Sequence, residues 1–243
     1  MQSGIRVYAL VRSLEKAHAM LDGYSEQDGL HFIQGDVEAL STSVTFDYII
    51  HAACPTSSSF FASNPVETAS SIVSGTVKML ELARICQTKL VYVSSMEVYG
   101  EGNAEQGIEK RLDETQVGYV NPMSVRSCYP AGKRMAENYC AAFTGEYGVH
   151  AAVARLAQTF GPSIAKSDKR IFAMLARCAL AGKPIVLKTT GASTRMYNHT
   201  FDAVAAIFTI LLRGQAGRAY NVAIGSIRLI IAVLLIPITK EPQ

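Results

Sequence analysis

The chain has 243 residues, 49% of them hydrophobic and 18% charged, with a formal net charge of +3. Such a composition buries a sizeable core and excludes a disordered chain; without a basic run it also excludes nucleic acid as an evident partner. The five cysteines, Cys54, Cys86, Cys128, Cys140 and Cys178, are dispersed without a close pair or a metal-ligand spacing, which reads as reduced thiols of a cytoplasmic protein with no metal site.

No apolar stretch follows a basic start, so a secretory leader is not expected. Residues 6–11 (RVYALV) are rich in strand formers, and residues 13–21 carry a helical pattern. A short apolar strand at 30–33 stops before Gly35-Asp36, and a second at 46–51 (FDYIIH) stops at His51-Ala52-Ala53. A long helix is predicted over 65–87, with Pro65 near its start and Glu67 in its first turn. Residues 89–95 (KLVYVSS) form a nearly continuous apolar strand, followed by a helix over 129–147 and a strand over 151–156. The stretch 159–199 reads as irregular, punctuated by Gly161-Pro162 and Gly182-Lys183-Pro184. Residues 201–212 are helical and 219–223 strand-like. The apolar run at 229–236 (LIIAVLLI) is closed by Pro237 and is too short to span a bilayer, so it reads as a buried strand or helix and no membrane partner is expected.

Apolar strands separated by helices predict an α/β chain with a doubly wound parallel sheet covered on both faces. In such sheets ligands bind outside the carboxyl ends of the strands. That rule puts Asp36, His51-Ala52-Ala53 and Ser94-Ser95 along one edge, three small or polar strand ends where a site is expected.

Tyr129 and Lys133 form a Tyr-x-x-x-Lys pair, which a helix places on one face. An ammonium there favours the phenolate, bringing the tyrosine closer to neutral working pH than its free value of roughly 10. Spacing alone fits an ordinary helix-surface pair as well. A serine at the end of the preceding buried strand, Ser95, changes the balance. Its hydroxyl can hold a substrate alcohol while Tyr129 moves the proton and an oxidised nicotinamide takes the hydride.

These residues, with their neighbours, resemble the NAD-dependent epimerase/dehydratase family, the extended short-chain dehydrogenases that act on nucleotide sugars. The resemblance runs from about Val7 to Ala223. Gly35-Asp36-Val37 is similar to the family's adenine-contacting segment, and His51-Ala52-Ala53 to its His-x-Ala stretch beside the cofactor. Gly75-Thr76 fits the end of an Asn-Val-x-Gly-Thr pattern. SSMEVYG matches the strand end that carries the catalytic serine, Ser95. Arg126-Ser-Cys-Tyr129-Pro-Ala-Gly-Lys133-Arg134-Met-Ala-Glu137 matches the catalytic helix. Arg155-Leu-Ala-Gln158-Thr-Phe-Gly-Pro162 matches the segment that leads into the family's substrate lobe, and the segment around Arg195 resembles the one that holds the nucleotide diphosphate. The resemblance therefore implies a Rossmann-like fold. It implies Ser95, Tyr129, Lys133 and Glu97 as catalytic residues. It implies Asp36, Val37, His51, Ala52, Ala53, Thr76, Tyr129, Lys133 and Arg12 around the cofactor, and Ser95, Gln158, Arg170 and Arg195 around the substrate. NAD is the implied cofactor. Arg12 follows the first strand where NAD users commonly carry an acid, and an arginine there suits a 2′-phosphate, which leaves NADP open.

Met96-Glu97 stands where the family's dehydratases carry Asp-Glu and its UDP-glucuronate decarboxylases Ser-Glu. The retained Glu97 and the Cys-Tyr-x-x-Gly-Lys-Arg run resemble the decarboxylase branch most. The implied activity is transient oxidation of a nucleotide-diphosphate sugar at carbon 4, by a homodimer when full-length. Two alternatives stand beside it: a catalytically inactive fragment of such an enzyme, and an NADPH-dependent reductase of the same superfamily. The family's opening strand, Gly-x-x-Gly-x-x-Gly loop and helix have no counterpart here, and Ile72 and Gln158 replace family asparagines. Residues 1–157 are thus expected to form an incomplete cofactor domain, 158–200 a partial substrate segment, 201–223 a return to the core and 224–243 an aberrant apolar tail. A sheet without that strand is expected to expose apolar edges.

Overall fold

Ser13 opens the first helix. Its backbone is extended and its hydroxyl accepts from the Lys16 amide at 3.3 Å, the satisfied N-cap that a serine in this position provides. The computed structural model describes residues 4–101, 112–162, 168, 170–187, 196–223 and 238–240. In chain order the elements begin with β1 (Val7–Val11), α1 (Leu14–Met20), β2 (Leu30–Gln34), β3 (Tyr48–His51), α2 (Ser58–Ser63), α3 (Pro65–Cys86) and β4 (Lys89–Ser95). A 3₁₀ turn at Met96–Tyr99 and another at Val125–Ser127 lead to α4 (Cys128–Tyr147). Then come β5 (Ala151–Leu156), β6 (Gln158–Phe160), α5 (Ile171–Leu180), β7 (Ile185–Leu187), β8 (Tyr197–His199), α6 (Thr200–Arg213), β9 (Ala219–Val222) and β10 (Ile238–Lys240).

The predicted strands and long helices form within a residue or two of their expected bounds, and among the described residues every pairing between these strands is parallel. The stretch expected to be irregular does not stay so: β6, α5, β7 and β8 lie in it. Phe172, Ala173 and Leu175 bury one face of α5, and the glycines and prolines that flank the helix hide that spacing in the sequence. The apolar run at 229–236 lies outside the described residues.

The strands do not make one sheet. β3, β4, β5 and β9 form a four-stranded sheet in that order, while β1 and β2 pair separately. Among the described residues β1 bonds only β2, and β3 bonds only β4. Their open edges carry Val7, Tyr48 and Ile50, each 40% exposed or more.

One core nevertheless joins the two sheets. Leu10, Val37, Leu40 and Phe46 pack on the cluster that holds Ile49, Ile72, Leu80, Leu90, Tyr92 and Ala136. Gly75 makes this possible, because a Cβ there would come within 2.7 Å of the Val37 side chain. Ile72, in the place of the family asparagine, is fully buried and packs over Gly132 of α4. Gly148, at φ +68°, closes α4 in the left-handed conformation that glycine adopts without steric cost. On the other face of the sheet α6 covers Val91, Ala152 and Ala154 with Ile210 and Leu211. The parallel register sets the ends of β3, β4 and β5 side by side, with Ser95 beside Leu156.

Candidate active site

Ser95 ends β4 and caps the following 3₁₀ turn, its hydroxyl accepting from the Glu97 amide at 3.2 Å. Tyr129 stands in the first turn of α4 and is 8% exposed. The Ser95 side chain lies close enough to Tyr129 to favour its phenolate, and Phe61 of α2 stacks on the Tyr129 ring at 4.3 Å between centroids. Lys133, one turn on, is 2% exposed. Its ammonium donates to the Val93 carbonyl at 2.8 Å, lies near the Cys54 thiol, which favours its charge, and stands 4.7 Å from the Tyr92 ring centre and 5.7 Å from that of Tyr129. The structure thus brings together the three residues that the sequence singles out.

Their electrostatics differ from the expectation. Burial pushes the Tyr129 hydroxyl well above the ordinary tyrosine range, reinforced by the nearby Cys54 thiol, while the Ser95 side chain opposes it. Burial also pulls the Lys133 ammonium below the usual lysine value, against the favourable influence of Cys54 and Glu137. The ammonium is committed to a backbone carbonyl and an aromatic face, so desolvation outweighs its support for the phenolate.

A cleft of about 230 Å³ opens at the ends of β1, β2 and β3, lined among others by Arg12, Asp36, Val37, Ala52, Ala53 and Cys54. Five of the expected cofactor contacts therefore line one hollow: Arg12, Asp36, Val37, Ala52 and Ala53. Two others sit elsewhere. His51 and Thr76 are buried at 3% and 0% exposure and bond each other at 3.1 Å. The Thr76 hydroxyl donates to the Ile72 carbonyl at 2.6 Å, so it accepts from His51 Nε2–H and fixes that tautomer. Both side chains face the core instead of the cleft. Burial first, and then the Lys133 charge, pull the His51 imidazole down to about 3.

The expected substrate residues divide likewise. Gln158 opens β6, just beyond the β5 end that flanks Ser95, and its Oε1 is buried without a hydrogen-bond partner among the described residues. Arg170 is held by its neighbour Asp168, with Nη2–Oδ2 at 2.6 Å, and half of it is exposed. That is the local ion pair, and it leaves the diphosphate role without support. Arg195 lies outside the described residues. Glu97 is paired with Arg126 and about two-fifths exposed.

Several residues given no role in the sequence shape the site. Glu137, two turns after Tyr129, accepts from Ser94 Oγ at 2.5 Å and from Arg155 Nη2 at 2.7 Å. Arg155 also donates to the Tyr99 hydroxyl at 3.0 Å and the Glu114 carbonyl at 2.8 Å. Arg134 donates to the Val98 and Gly118 carbonyls, both at 2.7 Å. These bonds pin α4 to β4, β5 and the turn after Ser95. The helical spacing of Tyr129, Lys133 and Glu137 was the available signal, since it puts all three on one face. Among the described residues no His, Cys, Asp or Glu cluster could hold a metal ion, and no helix is long and apolar enough to cross a membrane.

Residues 1–223 match the model of a family described as the NAD dependent epimerase/dehydratase family. The chain is 33% identical over 174 residues to UDP-glucuronic acid decarboxylase 6 of Arabidopsis thaliana, covering 72% of this chain and 49% of that protein. It is 33% identical over 168 residues to UDP-glucuronic acid decarboxylase 1 of Xenopus tropicalis, covering 69% and 39%. The chain thus spans about half the length, or less, of these curated relatives. Among solved structures, the UDP-glucose 4-epimerase of Thermotoga maritima, crystallised with UDP-glucose, superposes with a TM-score of 0.77 at 19% identity, over 98% of this chain and 78% of that one. A dTDP-glucose 4,6-dehydratase mutant from Streptomyces venezuelae with NAD bound superposes with a TM-score of 0.69 at 21% identity, over 89% and 66%. Those two likenesses establish a shared fold.

Proposed function

We propose, for a chain that belongs to the NAD-dependent epimerase/dehydratase family, a nucleotide-sugar-modifying activity of the decarboxylase branch, working by transient oxidation at sugar carbon 4. The observation that carries this reading is the placement of Ser95 and the buried Lys133 ammonium beside Tyr129, all near Cys54, which lines a cleft with Asp36, Ala52 and Ala53. The cleft fits part of a dinucleotide, and the orphaned Gln158 Oε1 fits a polar substrate. NAD is the proposed cofactor, with Asp36, Val37, Ala52, Ala53 and Arg12 lining its cleft; bound there, it would accept a hydride from a secondary alcohol carbon.

In this reading Ser95 holds the sugar 4-hydroxyl and Tyr129 takes its proton as carbon 4 is oxidised to a ketone. The carbonyl stands β to a carboxylate on carbon 5 of the ring, so the carboxylate leaves as carbon dioxide and its electron pair enters the enolate. Glu97, close enough to influence Tyr129, is the proposed proton-handling group for the later steps. Lys133 keeps positive charge behind the tyrosine, and Glu137 with Arg155 keeps α4 in register with Ser94. A homodimer is part of the proposal, supported by exposed apolar side chains on the outer faces of α3 and α4, Val66, Ile85 and Met135 among them. A cytoplasmic setting is supported by five free cysteines.

The test is incubation with UDP-glucuronate and NAD, with the products separated and carbon dioxide trapped. Release of carbon dioxide with a UDP-pentose is expected. A 4-epimer with no carbon dioxide would replace the decarboxylase by an epimerase.

A further inference from the structure

Arg126 lies in the 3₁₀ turn that leads into α4. Its guanidinium is 4.8 Å from the centre of the Phe61 ring and 5.9 Å from that of Tyr129. Nη2 donates to both oxygens of Glu97, at 3.0 and 2.9 Å. Nη1 is buried and has no hydrogen-bond partner among the described residues. The side chain as a whole is 41% exposed, and its guanidinium stands beside the Tyr129 ring.

Buried donors are almost always paired in folded proteins, and an orphan calls for an acceptor. A guanidinium carries five donors in a planar fork. Glu97 uses one nitrogen, which leaves the remaining donors for a second anionic oxygen. The position selects which one. If Tyr129 takes the proton of the sugar 4-hydroxyl, a cation three residues before it stands near the substituents of the neighbouring ring carbons. The diphosphate, on carbon 1, leaves from the opposite side of the ring. A carboxylate on carbon 5 is adjacent to the reacting carbon and presents two oxygens to the fork.

We propose that Arg126 is a specificity-determining residue that reads a carboxylate on the sugar ring, so that the site selects nucleotide uronates over neutral nucleotide hexoses. This rests on the nucleotide-sugar reading above. Phe61 and Tyr129 hold the guanidinium by their ring faces, and Glu97 keeps it in place before the substrate arrives.

Binding, measured by calorimetry on the full chain with NAD present, tests this without requiring turnover. UDP-glucuronate and UDP-glucose are titrated into the wild type, Arg126→Gln and Arg126→Lys. The wild type is expected to prefer UDP-glucuronate. Arg126→Gln is expected to weaken UDP-glucuronate about tenfold, the loss of one charge-assisted contact, and to leave UDP-glucose unchanged; Arg126→Lys keeps part of the preference. Glu97→Gln, which frees the guanidinium, is expected to tighten UDP-glucuronate alone. Equal losses for both ligands, or none for either, would overturn the inference while the nucleotide-sugar reading stands. A wild type that binds neither ligand would overturn that reading, and the inference with it.

Discussion

The Ser95 side chain reaches Tyr129 closely enough to favour its phenolate, although one closes β4 and the other stands in the first turn of α4. That contact depends on how firmly α4 is held against the sheet, and each prediction below tests one part of the hold or of the chemistry it serves.

Tyr129→Phe keeps the ring that stacks on Phe61 and removes only the hydroxyl. Turnover should fall on the order of 10²–10⁴-fold, the usual contribution of a positioned acid–base group, with thermal stability close to wild type. Steady-state kinetics beside a melting curve measures both. An unchanged rate would remove Tyr129 from the mechanism.

Lys133 is a buried charge, so function and stability should part at this position. Its folded-state proton affinity is lowered by burial. The group therefore costs nothing above its unfolded pKa, where it is neutral in both states, and its cost appears as pH falls through that value. At neutral pH Lys133→Met should be inactive and yet more resistant to urea, by about 1 kcal/mol or more. Loss of stability would show that the Val93 carbonyl and Cys54 contacts outweigh desolvation.

Glu137 and Arg155 are 11% and 8% exposed. Removing one partner strands the other, so Glu137→Gln should cost about 3–5 kcal/mol in chemical denaturation and release Ser94. A change within about 0.5 kcal/mol, the range of ordinary surface substitutions, would mean that the network carries little.

His51 supplies a pH signature. Its folded-state pKa, lowered to about 3 by burial and then by Lys133, lies below the unfolded value near 6.5. Its contribution is complete above about pH 6.5 and is lost as pH falls towards 3, with a slope of up to about 1.4 kcal/mol per pH unit. Urea titrations across that window should show the loss in wild type and a shallower slope in His51→Asn.

Much of the site was legible in the sequence because strand ends and helix faces have fixed periods. Ser95 falls where an apolar strand stops, and Tyr129, Lys133 and Glu137 recur at intervals of four. What was not legible depends on tertiary placement. His51 and Thr76 stand on elements that do flank the cleft, but their side chains turn inward and satisfy each other. The ion pair that Asp168 makes with Arg170 depends on the local backbone and could not be read from the residue types alone. The orphan donor of Arg126 exists only because two rings close around it, and α5 was hidden between glycine-rich turns. The separation of β1 and β2 from the sheet of β3, and the shared core that bridges it through Val37 and Gly75, had no signal in the sequence.

The most direct test of the proposed chemistry is a competition between UDP-glucuronate carrying hydrogen and deuterium at sugar carbon 4, with NAD present. Oxidation at that carbon, with Tyr129 taking the proton, predicts that the deuterated substrate is consumed more slowly and that Tyr129→Phe consumes neither. Equal consumption of the two isotopologues by wild type, or product formation by Tyr129→Phe at the wild-type rate, would contradict it.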